Sequence, residues 1–288
     1  MNADSAFQIG ASHAVCQDYS LAGTLLPSVS SEEFDPQVRP YVILSDGCSS
    51  SPDTDIGARL LVKAAEQTLL KLGNSATCEV AEIHKEAARL ALTWAALLGL
   101  RPQAVDATLL TAHLVGEELF IGCSGDGVIC LQTWAGALDV YSISYASNYP
   151  LYSAYTHQPE RLLALKDAGR SDREVTHFRS ASIAECLQPS GTSGGNSLTE
   201  VFTLSPAEYK YVALFSDGVH SFFDTGQTGA GSRGEAIPLD EVLRSLISFK
   251  STRGSFVGRR MKRFLKDCKN KGWQHADDLA FGALHLGG

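Results

Sequence analysis

No two of the seven cysteines stand at C-x-x-C spacing, and their number is odd: Cys16, Cys48, Cys78, Cys123, Cys130, Cys186 and Cys268. Neither a cysteine zinc site nor a disulfide framework is suggested, so a reducing compartment is expected. Long apolar runs are also lacking. The longest apolar-rich stretch, Leu90 to Leu100, contains Thr93 and falls short of the ~20 residues that a membrane span needs. It reads as a buried helix. Met1 to Ser5 offers neither the basic region nor the apolar core of a signal peptide, so a cytoplasmic location without membrane contact is expected. Positive charge is in deficit. The net charge of −8 weighs against a nucleic-acid partner, because phosphate backbones must be met by Lys and Arg.

What is present is an ordinary globular composition, 44% hydrophobic and 19% charged over 288 residues, long enough for a substantial core. Apolar runs bounded by Gly, Asp and Ser predict strands at Tyr41–Leu44, Thr108–Val115, Leu119–Ile121, Val128–Thr133, Leu138–Ile143, Tyr209–Phe215 and Leu279–Leu286, with Gly116-Glu117-Glu118 turning one hairpin. Helical spacing predicts helices over Asp55–Leu72, Glu79–Leu100, Pro238–Phe249 and Ser255–Cys268, with Gly73-Asn74-Ser75 separating the first two. Strands, a helix pair, more strands, a second helix pair and a last strand make an α+β pattern with antiparallel sheets. Three segments read as irregular: Tyr145–Arg173, Pro189–Ser197 and Thr225–Gly234. The span 145–197 is expected to be a loop or flap over a site. The basic run from Ser251 to Lys271 reads as the solvated face of an amphipathic helix.

A local grammar repeats. Three times a hydrophobic strand runs into an Asp-Gly turn: Val42-Ile43-Leu44-Ser45-Asp46-Gly47, then Ile121-Gly122-Cys123-Ser124-Gly125-Asp126-Gly127, then Leu214-Phe215-Ser216-Asp217-Gly218. Asp277-Asp278 precedes the final strand, and Asp18 heads an early one. Asp-Gly alone is a common turn dipeptide. Three copies behind matching strands, with Asp277, point further. Carboxylates at strand ends can converge above a sheet, and Gly exposes a carbonyl oxygen as one more donor. Hard cations such as Mg²⁺ and Mn²⁺ take such oxygen donors. Without cations the cluster would repel itself and raise its pKa values; a pair of dications removes that cost and supplies a bridging hydroxide as nucleophile. Asp53-Thr54-Asp55, by contrast, follows Ser50-Ser51-Pro52 rather than a strand, and reads as a helix N-cap. His220 and His275 read as surface or loop residues.

The order of these motifs resembles the metal-dependent protein phosphatases, the PPM or type 2C family, in a divergent bacterial form. The likeness runs from about Gly10 to Leu286 and rests on Gln17-Asp18, Asp46-Gly47, Asp106-Ala107-Thr108, Gly125-Asp126-Gly127, Ser216-Asp217-Gly218 and Asp277-Asp278. It implies one domain over 1–288, folded as a four-layer α-β-β-α sandwich: two antiparallel sheets face to face, helices on both outer sides. It implies hydrolysis of phosphoserine and phosphothreonine in protein substrates by a metal-bridging water. Two Mg²⁺ or Mn²⁺ ions would be held by Asp46, the Gly47 carbonyl, Asp217 and Asp277, with Asp18 also near the metals and Asp126 at a third, weaker site. Asp46, Asp217, Asp277 and His13 would carry the chemistry, and His13 and Gln17 would meet the substrate. A monomer is expected. The sequence departs from the family pattern where His13 stands for an Arg that grips phosphate and Gln17 stands for a Glu. Those departures keep two alternatives open: a pseudophosphatase acting as a phosphoprotein-binding or regulatory module, and a hydrolase of small phosphate esters.

Overall fold

A computed structural model of the chain describes residues 1–25, 39–72, 79–169, 172–195, 197–225 and 234–287. The strands in chain order are β1 (Asn2–Gln8), β2 (Asp18–Leu25), β3 (Arg39–Asp46), β4 (Leu109–Val115), β5 (Glu118–Ser124), β6 (Gly127–Thr133), β7 (Leu138–Tyr145), β8 (Arg173–Ser180), β9 (Gln188–Gly195), β10 (Glu200–Leu204), β11 (Tyr209–Phe215), β12 (Phe222–Asp224), β13 (Glu235–Ala236), β14 (Trp273–His275) and β15 (Leu279–His285). The helices are α1 (Thr54–Leu72), α2 (Val80–Leu97), α3 (Pro159–Asp167), α4 (Leu239–Ile247) and α5 (Phe256–Lys271). Seven strands form one sheet in the order β1-β15-β11-β6-β7-β8-β9; five form a second, β10-β5-β4-β3-β2; β13-β12-β14 make a small third. Strand pairs throughout are antiparallel, as at β3 with β2 and β4, and β11 with β6 and β15.

The side-chain period of two divides each central strand between two cores. Val42 and Leu44 of β3 face the other sheet, beside Val212 and Leu214 of β11 and Ala280 and Leu284 of β15. Tyr41 and Ile43 point the other way, onto Leu61, Val62 and Ala65 of α1 and Ala87, Ala88 and Ala91 of α2. Ala213, Phe215, Phe281 and Ala283 point away from the sheet–sheet core, onto α4 and α5. Strands buried on both faces read as continuous apolar runs rather than alternating ones, which is why β3 and β11 are plain in the sequence. The result is the expected four-layer α-β-β-α sandwich.

Local details differ from the expectations. β1 carries the polar sequence NADSAFQ and gives no strand signal; it is an edge strand paired only with β15. The segment Pro189–Ser197, expected to be irregular, is mostly β9, exposed and last in its sheet. An edge position tolerates Pro189, because the side facing solvent needs no ladder donor, and a register shift opposite His177/Phe178 accommodates it. The supposedly irregular Tyr145–Arg173 contains α3, started by Pro159 at its first turn; Pro is well placed there because that N–H needs no partner. α2 stops at Leu97 rather than Leu100, whereas α5 runs on to Lys271, where Gly272 takes the left-handed conformation, φ 79°, that closes a helix. Gly73-Asn74-Ser75 and most of Thr225–Gly234 lie outside the described residues.

Candidate active site

The turns that end β3 and β11, the β5–β6 turn and the residues before β15 all open at one end of the sandwich. β2 and β3 pair so that Asp18 stands opposite Asp46. The Asp46 backbone is clamped by Thr108: its N–H donates to Thr108 Oγ1 at 2.9 Å, and its carbonyl accepts from Thr108 N–H at 2.8 Å. Ser45 Oγ donates to the Thr108 carbonyl at 2.5 Å. Gly47 N–H donates to the Gln17 carbonyl, 3.1 Å. On the other sheet, Ser216 Oγ donates to Asp18 Oδ2 at 2.7 Å and accepts from Ala280 N–H at 2.9 Å. One buried hydroxyl thereby ties β11 and β15 to β2 across the sandwich.

Asp278 organises the remaining wall. It is 2% exposed, and its carboxylate accepts from Gly10 N–H at 2.7 Å and Gln17 N–H at 2.6 Å. His13 Nδ1 lies 3.0 Å from Asp278 Oδ2, and His13 Nε2 lies 3.4 Å from Asp277 Oδ1. Gly10 packs against the Asp277 backbone so closely that a Cβ would fall 2.2 Å from its carbonyl carbon, and a Cβ on Gly218 would fall 1.7 Å from the Asp278 carbonyl oxygen. Only glycine fits at either place.

These pieces enclose a cleft of about 180 Å³ lined by His13, Gln17, Asp46, Gly47, Asp126, Asp217 and Asp277, with Cys48, Asn148, Pro150 and Tyr152 on its rim. Every residue expected at the site is in that lining except Asp18, which is fully buried beside Asp46. The Gln17 side chain is engaged elsewhere, donating to Thr54 Oγ1 at 2.8 Å. His220 is outside the lining, its Nε2 3.4 Å from Ser142 Oγ, and His275 Nε2 is 3.1 Å from the Ile9 carbonyl. Among the described residues no Lys or Arg is in that lining. Ser45, Thr108, Ser216 and Asp278, which orient the carboxylates and His13, stand in the motifs the sequence shows, but no role was expected of them. Ser-Asp-Gly occurring twice, with the serine at the last inward position of a strand, was the available signal.

The electrostatics are those of crowded carboxylates. Burial, reinforced by the charges of Asp217 and Asp278, pushes Asp18 up to about 7 despite hydrogen bonds with Ser216 and Asp46. Burial and the charges of Asp18, Asp217 and Asp126 raise Asp46 well above the usual carboxylate range. Burial and the charges of Asp217 and Asp277 push Asp126 up to about 7, and burial with Asp217 raises Asp277. Burial lowers His13, but the hydrogen bond and charge of Asp278, with Asp277 and Asp18, outweigh it and hold the imidazole above its ordinary value. Two oxygens, Asp18 Oδ1 and Asp217 Oδ1, are buried without a donor hydrogen-bonded to them among the described residues. Among the described residues no three or more His, Cys, Asp or Glu side chains are drawn together as a finished ligand cluster; the carboxylates meet in pairs, Asp18 with Asp46 and Asp46 with Asp217. Unpartnered buried carboxylate oxygens, oxygen-only donors and mutual repulsion fit hard divalent cations.

The protein phosphatase 2C family model matches residues 9–266. No curated protein matches the chain. Among solved structures, the fold is similar to a bacterial serine phosphatase (TM-score 0.54, 11% identity, 100% of this chain and 98% of that one). It is similar also to the serine/threonine phosphatase Stp1 from Staphylococcus aureus (0.52, 12%, 100% and 96%), and to the serine/threonine phosphatase of S. agalactiae (0.51, 13%, 98% and 97%).

Proposed function

Because the chain belongs to the protein phosphatase 2C family, we propose that it is a Mg²⁺- or Mn²⁺-dependent phosphatase acting on phosphoserine and phosphothreonine in proteins. The observation that carries this reading is the convergence of Asp46, Asp126, Asp217 and Asp277, from four separate turns, on one cleft. Asp46, Asp217, Asp277 and the Gly47 carbonyl would hold two ions, Asp126 a third, and Asp18 would support Asp46 from below. When bound, the ions polarise the phosphoryl group and make water acidic enough to attack it. The chain's own part is positioning. Thr108 and Ser216 fix Asp46 and Asp18, so the donors stand ready before substrate arrives. His13, between Asp278 and Asp277, would present its imidazole to a phosphoryl oxygen in place of a permanent cation. Purified protein is therefore expected to release phosphate from a phosphothreonine peptide with Mn²⁺, not with EDTA, and not when Asp46→Asn is introduced. Full turnover in Asp46→Asn would refute the assignment.

A second reading has one observation in its favour. With no Lys or Arg in the cleft lining among the described residues, the site suits a phosphoprotein-binding module that holds metal without turnover. Mn²⁺ binding by a protein that hydrolyses neither phosphopeptides nor small phosphate esters would select it.

A further inference from the structure

Beside the cleft lies a second hollow, of about 560 Å³, whose lining shares Cys48, Asn148, Pro150 and Tyr152 with it. The two are one continuous surface. The side pocket combines an aromatic and aliphatic part, Tyr149, Tyr152, Tyr155 and, from α3, Leu165, with the small polar groups of Ser50, Ser51, Ser147 and Asn148. Tyr152 and Tyr155 are buried and meet edge to face, centroids 5.5 Å apart at 62°. Among the described residues Arg161 is the one cation in this lining, and its charge is already used. It makes a two-pronged pair with the buried Asp106, 2.8 and 2.7 Å, and donates to Gln158 Oε1 at 2.6 Å. Its guanidinium lies over the Tyr155 ring, 4.8 Å from the centroid. Ser51 Oγ closes Asp106 from the other side at 2.8 Å. The pair thus acts as a neutral brace fixing α3 to the turn before β4, and the pocket offers ring faces and edges rather than a free charge.

We propose that this side pocket receives a large apolar side chain, best an aromatic one, next to the phosphorylated residue of the substrate. The inference rests on the phosphatase reading above. A peptide whose phosphate enters the cleft must lay its neighbouring residues on the rim, and Asn148, Pro150 and Tyr152 form the shared part of that rim. In an extended peptide the side chains one or two residues away fall within about 3–7 Å of the phosphorylated one. Among the described residues no free countercharge meets an acidic or basic neighbour there, whereas an aromatic ring can lie against the exposed Tyr149 and the uncovered edges of Tyr152 and Tyr155.

The test is a set of phosphoserine peptides, alanine elsewhere, in which one Phe is walked from two residues before the phosphoserine to two residues after, assayed with Mn²⁺. One position is expected to raise kcat/KM about tenfold over the all-alanine peptide, the scale of partly burying a large apolar side chain. Leu there should follow Phe, and Glu and Lys should give no gain. Ala164, exposed on α3 and lining the pocket, provides the second arm: in Ala164→Phe, which puts a ring of the chain's own at the pocket wall, the ratio between the Phe and alanine peptides should fall. Equal kcat/KM for all peptides, or a Phe preference that survives Ala164→Phe, would overturn the pocket assignment and leave the phosphatase reading standing. No turnover of any peptide or of p-nitrophenyl phosphate would overturn both.

Discussion

Asp126 offers the cleanest measure of what the site costs the fold. Among the described residues no other residue hydrogen-bonds its side chain, so Asp126→Asn removes a charge while leaving neighbouring bonds intact. Burial and the charges of Asp217 and Asp277 push its pKa up to about 7, from 3.8. The folded value lies above the unfolded one, so the folded chain holds an extra proton between those two values. The stability this contributes is full below about 3.8 and is lost as pH rises through about 7. At pH 8 the ionised carboxylate is therefore a liability. Three pKa units at ~1.4 kcal/mol each set an upper bound of about 4 kcal/mol; the effective dielectric of a solvent-contacting site brings this to about 2 kcal/mol. For a chain of this size that is roughly 3 °C in Tm. Metal-free Asp126→Asn should thus melt about 3 °C above the metal-free parent at pH 8, and the gap should shrink by more than half at pH 5. Mn²⁺ should raise the parent more than the variant, because the cation turns the same charge into an attraction. A metal-free variant melting at or below the parent at pH 8 would refute the reasoning.

Two further outcomes follow from other parts of the same network. Asp278→Ala strips the acceptors from Gly10 and Gln17 N–H and releases His13; about 2–4 kcal/mol should be lost in urea unfolding, with kcat/KM falling at least tenfold, whereas Asp278→Asn, which keeps one acceptor, should lose less of both. Burial lowers His113 to about 4, so its stabilising contribution is present above the unfolded value of 6.5 and is lost as pH falls toward 4; relative to His113→Gln, the parent should lose about 2 kcal/mol between pH 7 and pH 5, and an unchanged difference in chemical denaturation would contradict this.

The architecture was legible where burial on both faces made long apolar runs, as at β3, β11 and β15, and where helical spacing was strong, as in α1 and α2. β1 and β9 were not, because an edge strand needs no apolar face and β9 is built from Gly, Ser and Thr. The site was legible to the extent that ligation demands carboxylates at strand ends: Asp46, Asp126, Asp217 and Asp277 each close a recognisable turn. The groups that aim them were hidden. Thr108, Ser216 and Asp278 act through hydrogen bonds that reach over sequence separations of 62, 198 and 268 residues, and no local pattern says which partner they reach. The side pocket was invisible for a related reason. Its tyrosines sit in a segment without strand periodicity, and only the Arg161–Asp106 brace, spanning 55 residues, makes a wall of them.

Because the carboxylates come from both sheets, the spacing of the sandwich is itself a property of the site. Gly282 of β15 is where the sheets approach most tightly in this respect: a Cβ there would stand 2.1 Å from Val42 Cγ2 on β3. Valine is stiff about χ1, so Gly282→Ala must push β15 and β3 apart rather than rotate a side chain aside. Overpacking of this kind costs about 1–3 kcal/mol. The same displacement separates Asp277, five residues before Gly282 in the chain, from Asp46 at the end of β3, and shifts near 1 Å cost up to about a hundredfold in rate. Turnover should therefore fall more steeply than stability does. Val42→Ala, added to Gly282→Ala, removes the clash and should restore turnover above that of the single variant even though it empties part of the core. If the double variant is no more active than Gly282→Ala alone, the sheet spacing does not set the site, and the carboxylates are held by their turns.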